Sequence, residues 1–347
     1  MSASAESLLQ RVWYDREAQW LSLALLPLSW LFRVVVTCRR AAYRAGLLPR
    51  VRVARPVVVI GNVTVGGTGK TPFTIWLATQ LQARGVSVGI VLRGYGGTSA
   101  HWPRDVAADS APEEVGDEAV LLANRTGAIV VAGPDRVAAA RRAIERGAQI
   151  VLSDDGLQHY RLARDREIVV IDGRRGVGNR RLLPAGPLRE PVSRLSQADL
   201  RVVSWRDGSP RPLSPVAATI QACARLAHAT ALVGGETRPL ASFSGTRVHA
   251  VAAIGHPQQF FAALEQLGIE VAPHPLPDHA RFTAQDIRFA DELPVLMTEK
   301  DAVKCVRLAD HRHWAVRMDL MVSEQDAAAV NAMLDRLVPA RSADDRG

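Results

Sequence analysis

Val57-Val-Val-Ile60 is an apolar, β-branched run that stops at Gly61, and Gly66-Gly67-Thr68-Gly69-Lys70-Thr71 then leads into a segment with helical periodicity. Strand, glycine-rich turn and helix N-terminus in that order form the setting of a phosphate-binding loop. Glycines let backbone N–H groups approach an anion without Cβ interference, and the helix start adds unpaired donors and the positive end of a dipole. Thr64, Val65, Gly66, Gly67, Thr68, Gly69, Lys70 and Thr71 are therefore the predicted nucleotide site. Lys70 would reach the β/γ-phosphates and the Thr71 hydroxyl would ligate Mg²⁺. The strict pattern G-x-x-x-x-G-K-[ST] has glycine where this chain has Thr64. The competing reading is a glycine-rich turn with an incidental lysine, and the strand and helix on the correct sides weigh against it.

The same stretch constrains the fold. From Arg55 onward strand-like and helix-like segments alternate, as in a parallel sheet covered by helices on both faces. The predicted helices are 73–84, 119–124 and 135–146, and the predicted strands 86–92, 128–132, 149–153, 167–172 and 200–204. Proline, serine and glycine at 207–215 mark a linker, and 216–245 read as short strands of a connecting ribbon. Residues 247–254, 258–267 and 294–298 form a second α/β unit. The expected fold class is an α/β/α sandwich of the P-loop type with a second, smaller α/β domain. The expected division is a helical segment 1–50, a nucleotide-binding domain 51–206, a linker with a β ribbon 207–245 and a C-terminal domain 246–347.

Several side chains could work beside the loop. The apolar run 149–153 ends in Asp154 and Asp155, and acids at such a strand end hold Mg²⁺ directly or through water. Acids there are also common turn formers; the preceding Gly-Lys-Thr loop makes the metal reading the stronger one. His159 follows, either meeting a phosphate oxygen or water, or serving structure alone. Asp117 and Glu118 open a helix after a long polar stretch that reads as an irregular functional loop. Paired acids in a first turn ordinarily cap a helix, but a general base is needed near a transferring phosphoryl group. Arg189 projects from a proline-rich loop as a candidate phosphate clamp. Asp278 and His279 lie on a loop where open α/β sheets place ligands. Lys300 and Lys304, four apart, offer an anion contact or a solvated face.

Composition narrows the partners. With 43 Lys+Arg against 35 Asp+Glu the net charge is +8, favouring anionic partners. No basic patch interleaved with aromatics points to nucleic acid. Cys38, Cys223 and Cys305 have no paired spacing, which argues for neither a disulfide framework nor a zinc site and fits a reducing cytoplasm. Residues 18–32 carry no charge, contain Pro27 and are followed by Arg33, Arg39, Arg40 and Arg44. The run is too short for a full span, which takes roughly 20 apolar residues. Asp15 and Glu17 before it argue against a signal peptide. Trp20 and Trp30 at headgroup depth, with arginines on anionic lipid, is the favoured reading; a buried core helix is the alternative.

Taken together, these motifs resemble the tetraacyldisaccharide 4′-kinase family of lipid A biosynthesis. The likeness rests on Gly61-Asn-Val-Thr-Val-Gly-Gly-Thr-Gly-Lys-Thr-Pro72, Arg93-Gly-Tyr-Gly96, Gly116-Asp-Glu118, Asp154-Asp-Gly-Leu-Gln-His159, Leu183-Pro-Ala-Gly-Pro-Leu-Arg-Glu190, Pro277-Asp-His279 and Thr298-Glu-Lys-Asp301. Thr64 fits the family's loop, and Leu157 stands where many members carry phenylalanine. The resemblance implies two α/β/α domains joined by a β ribbon, with the site in the cleft between them. It implies transfer of the γ-phosphate of ATP to the 4′-hydroxyl of an acylated glucosamine disaccharide 1-phosphate, by a monomer on the cytoplasmic face of the bacterial inner membrane. It assigns Lys70 and Thr71 to phosphate and Mg²⁺, Asp154 and Asp155 to the metal, Asp117 to the base paired with His279, and Glu118, His159, Arg189 and Asp278 to support. A membrane-recruited ATPase switch is the alternative; its loop K-G-G-x-G-K-[ST] requires a lysine where this chain has Val65.

Overall fold

The computed structural model describes residues 3–15, 19–206, 219–278 and 280–338. Three helices come first: α1 (Ala3–Tyr14), α2 (Gln19–Ala24) and α3 (Leu26–Arg44), the last with Pro27 in its opening turn, where a missing N–H costs nothing. The first half then supplies β1 (Val57–Gly61), α4 (Lys70–Ala83), β2 (Val88–Leu92), β3 (Arg104–Val106), α5 (Pro112–Val115), α6 (Asp117–Thr126), β4 (Ile129–Ala132), α7 (Arg136–Glu145), β5 (Ile150–Ser153), β6 (Arg166–Asp172) and β7 (Leu200–Trp205). The second half supplies β8 (Thr219–Ala231), β9 (Thr237–Pro239), β10 (Arg247–Ala252), α8 (Pro257–Glu265), β11 (Glu270–Pro275), α9 (Ala284–Ile287), β12 (Val295–Thr298), α10 (Glu299–Cys305), β13 (His313–Val322) and α11 (Glu324–Asp335).

These strands form one mixed 13-stranded sheet in the order β11-β10-β12-β13-β8-β7-β6-β1-β5-β2-β4-β3, with β9 on β8. The strands from β4 to β8 along this order are parallel; β13 meets β8 antiparallel, and β12, β10 and β11 run parallel to β13. Central strands such as β1 and β2 are buried along their whole length, as strands covered on both faces must be. Val58, Ile60, Phe73 and Leu77 pack on one face, Val57, Val59, Val169 and Leu188 on the other.

Two expectations change. The stretch after Gly97 is not wholly irregular, because β3 pairs with β4 and α5 precedes α6. Residues 219–231 are not short strands but one long strand, paired to β7 by its first part and to β13 by its second. Its alternating small residues give only a weak strand signal, and the neighbouring strands supply the rest. The linker at 207–215 lies outside the described residues. The last helix, α11, returns to the first half, where Val330 and Leu334 join the core of Val202 and Ile220.

Between the halves, Arg125 on α6 clamps Glu299 with two contacts of 2.6 and 2.7 Å and donates to Asp319 at 2.6 Å. Glu299 also accepts from the Met318 amide. Arg125→Ala would leave the largely buried Glu299 carboxylate without its guanidinium and deprive the half-buried Asp319 of its nearest cation, so a loss of about 3–5 kcal/mol is expected, read from the denaturant midpoint. Adding Glu299→Gln and Asp319→Asn should recover most of it; no recovery would contradict the charge argument.

Candidate active site

The loop between β1 and α4 is fixed from beneath and from the side. Asn62 donates to the Thr64 carbonyl at 2.7 Å, and residues 182–190 lie alongside as a partner segment. Val65 N donates to the Pro187 carbonyl at 2.8 Å, and Arg189 N donates to the Val63 carbonyl at 2.7 Å. Gly69 sits at φ +87° immediately before α4, and a Cβ there would come 2.5 Å from Ser204 Oγ. The Ser204 and Thr68 hydroxyls are buried and have no hydrogen-bond partner among the described residues. Buried hydroxyls are normally satisfied, so two orphans beside an N-terminal helix turn suit a ligand rich in acceptor oxygens. Arg206 flanks the loop, donating to the Gly67 carbonyl at 2.7 Å, and Arg175 meets His256 of the second half.

At the end of β5 the two acids have different surroundings. Asp154 is buried; its Oδ1 accepts from Thr74 Oγ1 at 3.2 Å and from Asp155 N at 3.0 Å. Burial, with the nearby Glu118 charge, pushes its carboxyl up to about 7. Asp155 faces Lys70 Nζ at 3.4 Å and Arg189 at 3.6 Å. Although burial opposes it, these cations hold the Asp155 carboxyl below its ordinary range. Arg136 stands behind, donating to the Gly133 carbonyl at 2.7 Å, its own basicity lowered to about 10 by burial.

A second cluster gathers at the start of α6. Gly116 (φ +92°) allows the tight approach to Tyr95 in the Arg93-Gly-Tyr-Gly turn, where a Cβ would meet the Tyr95 carbonyl at 2.5 Å. Asp117 is buried at the first helical position, where its Oδ1 accepts from Glu118 N at 2.8 Å. Lys304 approaches Asp117 at 3.9 Å and Asp301 at 3.1 Å; Lys300 approaches Glu118 at 3.5 Å. Despite burial, the charges of Glu118, Asp117 and Asp278 raise the Lys300 ammonium above its usual range. Lys300 and Lys304 are therefore neither on a solvated face nor held for an external anion alone: they bind the first half's carboxylates. Because Glu118 acts on both Asp154 and Lys300, the two clusters adjoin.

Lys70, Asp154, Asp155 and Arg189 are thus brought together, and Asp117, Glu118 and Asp278 form the neighbouring group. Thr71 is the second residue of α4. His159 stands apart, beside Arg136, Arg164 and Asp135; burial and these arginines push its imidazole down to about 4. It is neutral near neutrality, which removes it as a cationic phosphate contact. His279 lies outside the described residues. Among the described residues, no group of three or more His, Cys, Asp or Glu forms a metal cage. Magnesium needs less than a cage, since it keeps waters and takes one or two carboxylates plus phosphate oxygens. A buried carboxylate destabilised by a second acid and bonded to Thr74, one turn along α4 from Thr71, fits such an ion.

The model of the tetraacyldisaccharide-1-P 4′-kinase family matches residues 21–338. The chain belongs to this family. Relatives named tetraacyldisaccharide 4′-kinase include those of Alkalilimnicola ehrlichii, 49% identical across 95% of this chain and 97% of the relative, and Nitrosococcus oceani, 47% identical across 95% of each. Among solved structures, the "apo" form of the Aquifex aeolicus kinase LpxK in complex with ATP superposes with a TM-score of 0.80 at 28% identity, over 91% of this chain and 99% of that one. For a kinase of this family, the sequence missed the parts that act through space. Thr74, Arg136, Ser204 and Arg206 carry no local motif; Lys300 and Lys304 were visible as a pair but their partners were not.

Proposed function

We propose that the chain transfers the γ-phosphate of ATP to the 4′-hydroxyl of tetraacyldisaccharide 1-phosphate in lipid A biosynthesis, at the cytoplasmic face of the bacterial inner membrane. The observation that carries this reading is the union of a phosphate loop and its strand-end acids with an acid–lysine cluster in which Asp117 and Glu118 of the first half meet Lys300 and Lys304 of the second. A hydrolytic switch has no need of such an acceptor-side cluster.

Phosphoryl transfer is dominated by positioning and charge neutralisation. Residues 64–71 would cradle the ATP phosphates, with Lys70 on the β/γ oxygens. Thr71, Asp154 and Asp155 would hold Mg²⁺, which supplies charge neutralisation on those oxygens when bound. The acceptor oxygen forms its bond to γ-phosphorus as the bond to the β–γ bridging oxygen breaks and ADP leaves. Asp117, supported by His279, takes the hydroxyl proton; Lys304, 3.9 Å away, and the α6 N-terminus place positive charge beside that carboxylate. Arg189 and Lys70 restrain Asp155. The reaction is expected to be carried out by a monomer.

An acceptor that stays in a bilayer calls for a surface-seeking segment. Trp20, Trp30, Leu31 and Val34 are 67, 65, 63 and 57% exposed on the outer side of α2 and α3. No helix among the described residues is long and apolar enough to cross a membrane. Peripheral or monotopic attachment by this face is the reading both observations support. The test is label transfer from γ-labelled ATP to the acylated disaccharide, with ATP turnover depending on that acceptor. Substantial turnover without lipid would favour the ATPase switch.

A further inference from the structure

A cavity of about 420 Å³ opens where the C-terminal end of α3 meets the start of β6. Seven arginines and three carboxylates line it. Part of that charge is already matched. Arg164 pairs with Glu167 at 3.0 Å, Arg194 with Glu167 and Glu190, and Arg52 with Asp165 at 2.7 Å. Arg40 and Arg44 are different: both guanidinium groups converge on one uncharged oxygen, the side-chain amide oxygen of Gln197. Arg50 adds a third cation at the rim. Two forks on one neutral acceptor match a phosphate, whose several oxygens take paired N–H donors.

The rim is not that of a site for a soluble ion. Leu47 and Leu48 stand between Arg44 and Arg50 with 78 and 37% of their surface exposed. The exposed face of α3 carrying Trp30, Leu31, Val34 and Val35 leads directly to it. Apolar side chains flanking a cationic pocket belong at headgroup depth. The cavity is also distinct from the transfer site. β1 and β6 pair with Val58 opposite Arg166 and Gly61 opposite Val169, so Arg166 marks the starting ends of strands whose far ends carry the phosphate loop.

We propose that this cavity binds the headgroup phosphate of an anionic glycerophospholipid, with Arg40, Arg44 and Arg50 as its donors. The proposal rests on the membrane reading above, and the test separates the two. The full chain is sedimented with vesicles of phosphatidylcholine alone and of phosphatidylcholine with phosphatidylglycerol. Arg44→Glu/Arg50→Glu should lose about tenfold or more in affinity for the anionic vesicles and bind the zwitterionic ones as the unaltered chain does. The milder Arg44→Gln/Arg50→Gln should fall between, and Arg141→Glu/Arg307→Glu, the same charge change away from the cavity, should keep anionic binding. Unchanged anionic binding in the first variant, or an equal loss in the control, overturns the headgroup site while leaving membrane attachment intact. Trp30→Glu/Val34→Glu should weaken binding to both vesicles; if it changes neither, membrane attachment itself fails. Two further arms exclude other phosphates. Arginine-dependent loss of transfer to a detergent-dispersed acceptor would reassign the cavity to the acceptor's 1-phosphate. Arginine-dependent calorimetric binding of inorganic phosphate without vesicles would reassign it to a free ion.

Discussion

Asp117→Asn is expected to lower phosphate transfer by about a hundred- to ten-thousand-fold, the range for loss of a general base, while ATP affinity stays close to that of the unaltered chain. The expectation follows from position. Asp117 is buried at the start of α6, within 3.9 Å of Lys304, whereas Lys70 pairs with Asp155. Removing its charge should therefore act on the proposed acceptor side and spare the Lys70–Asp155 pair. Transfer assayed under single-turnover conditions, with nucleotide binding measured separately, gives the check. Undiminished transfer removes Asp117 from the role of base; an equal loss of ATP binding makes it part of the nucleotide site instead.

The nucleotide half was legible in the sequence because its parts are local. A buried strand, glycines that tolerate positive φ and a helix start sit within one short stretch, and the acids of β5 end the next apolar run but two. The cluster at the start of α6, proposed to face the acceptor, was legible only as fragments. Asp117 looked like an ordinary helix-capping acid, and Lys300 and Lys304 like two neighbours on a helix. What joins them is β8, which pairs with β7 on one side and β13 on the other within the single sheet and so brings α10 against α6. That strand reads poorly in sequence, since its small residues take their conformation from β7 and β13. His159, close in sequence to Asp155, has Arg136 and Arg164 as charged neighbours, which proximity along the chain did not suggest.

Asp154→Asn should reduce transfer on the order of a hundredfold or more, in keeping with loss of support for a metal, and at the same time stabilise the protein at alkaline pH. In the fold its carboxyl is pushed up to about 7 by burial and by Glu118, against about 3.9 in an unfolded chain. Between those values the folded state holds the extra proton. Stability from this group is therefore full below the unfolded value, falls as pH rises toward 7, and the penalty is complete above it. The amide carries no charge and escapes the penalty. In melts with EDTA, the melting temperature of the variant minus that of the parent should be near zero at acidic pH and grow to a few degrees above neutrality. A pH-independent difference would mean that Asp154 is not ionised against the grain of its surroundings. A stabilised, inactive variant is the signature of a group retained for chemistry at the fold's expense.

Residues 182–190, which pair with the phosphate loop, are held on their other side by the first helices. Ser22 donates to the Ala185 carbonyl at 2.6 Å, Ser29 to the Leu182 carbonyl at 2.8 Å, and Trp13 to the Pro184 carbonyl at 2.9 Å. Were the outer face of α3 seated in a bilayer, as proposed, this short span would link lipid to nucleotide. It would set the height of the γ-phosphate above the headgroups. The enzyme would then choose its acceptor partly by altitude: a sugar hydroxyl presented at that level meets the donor, and one buried deeper or standing clear of the surface does not.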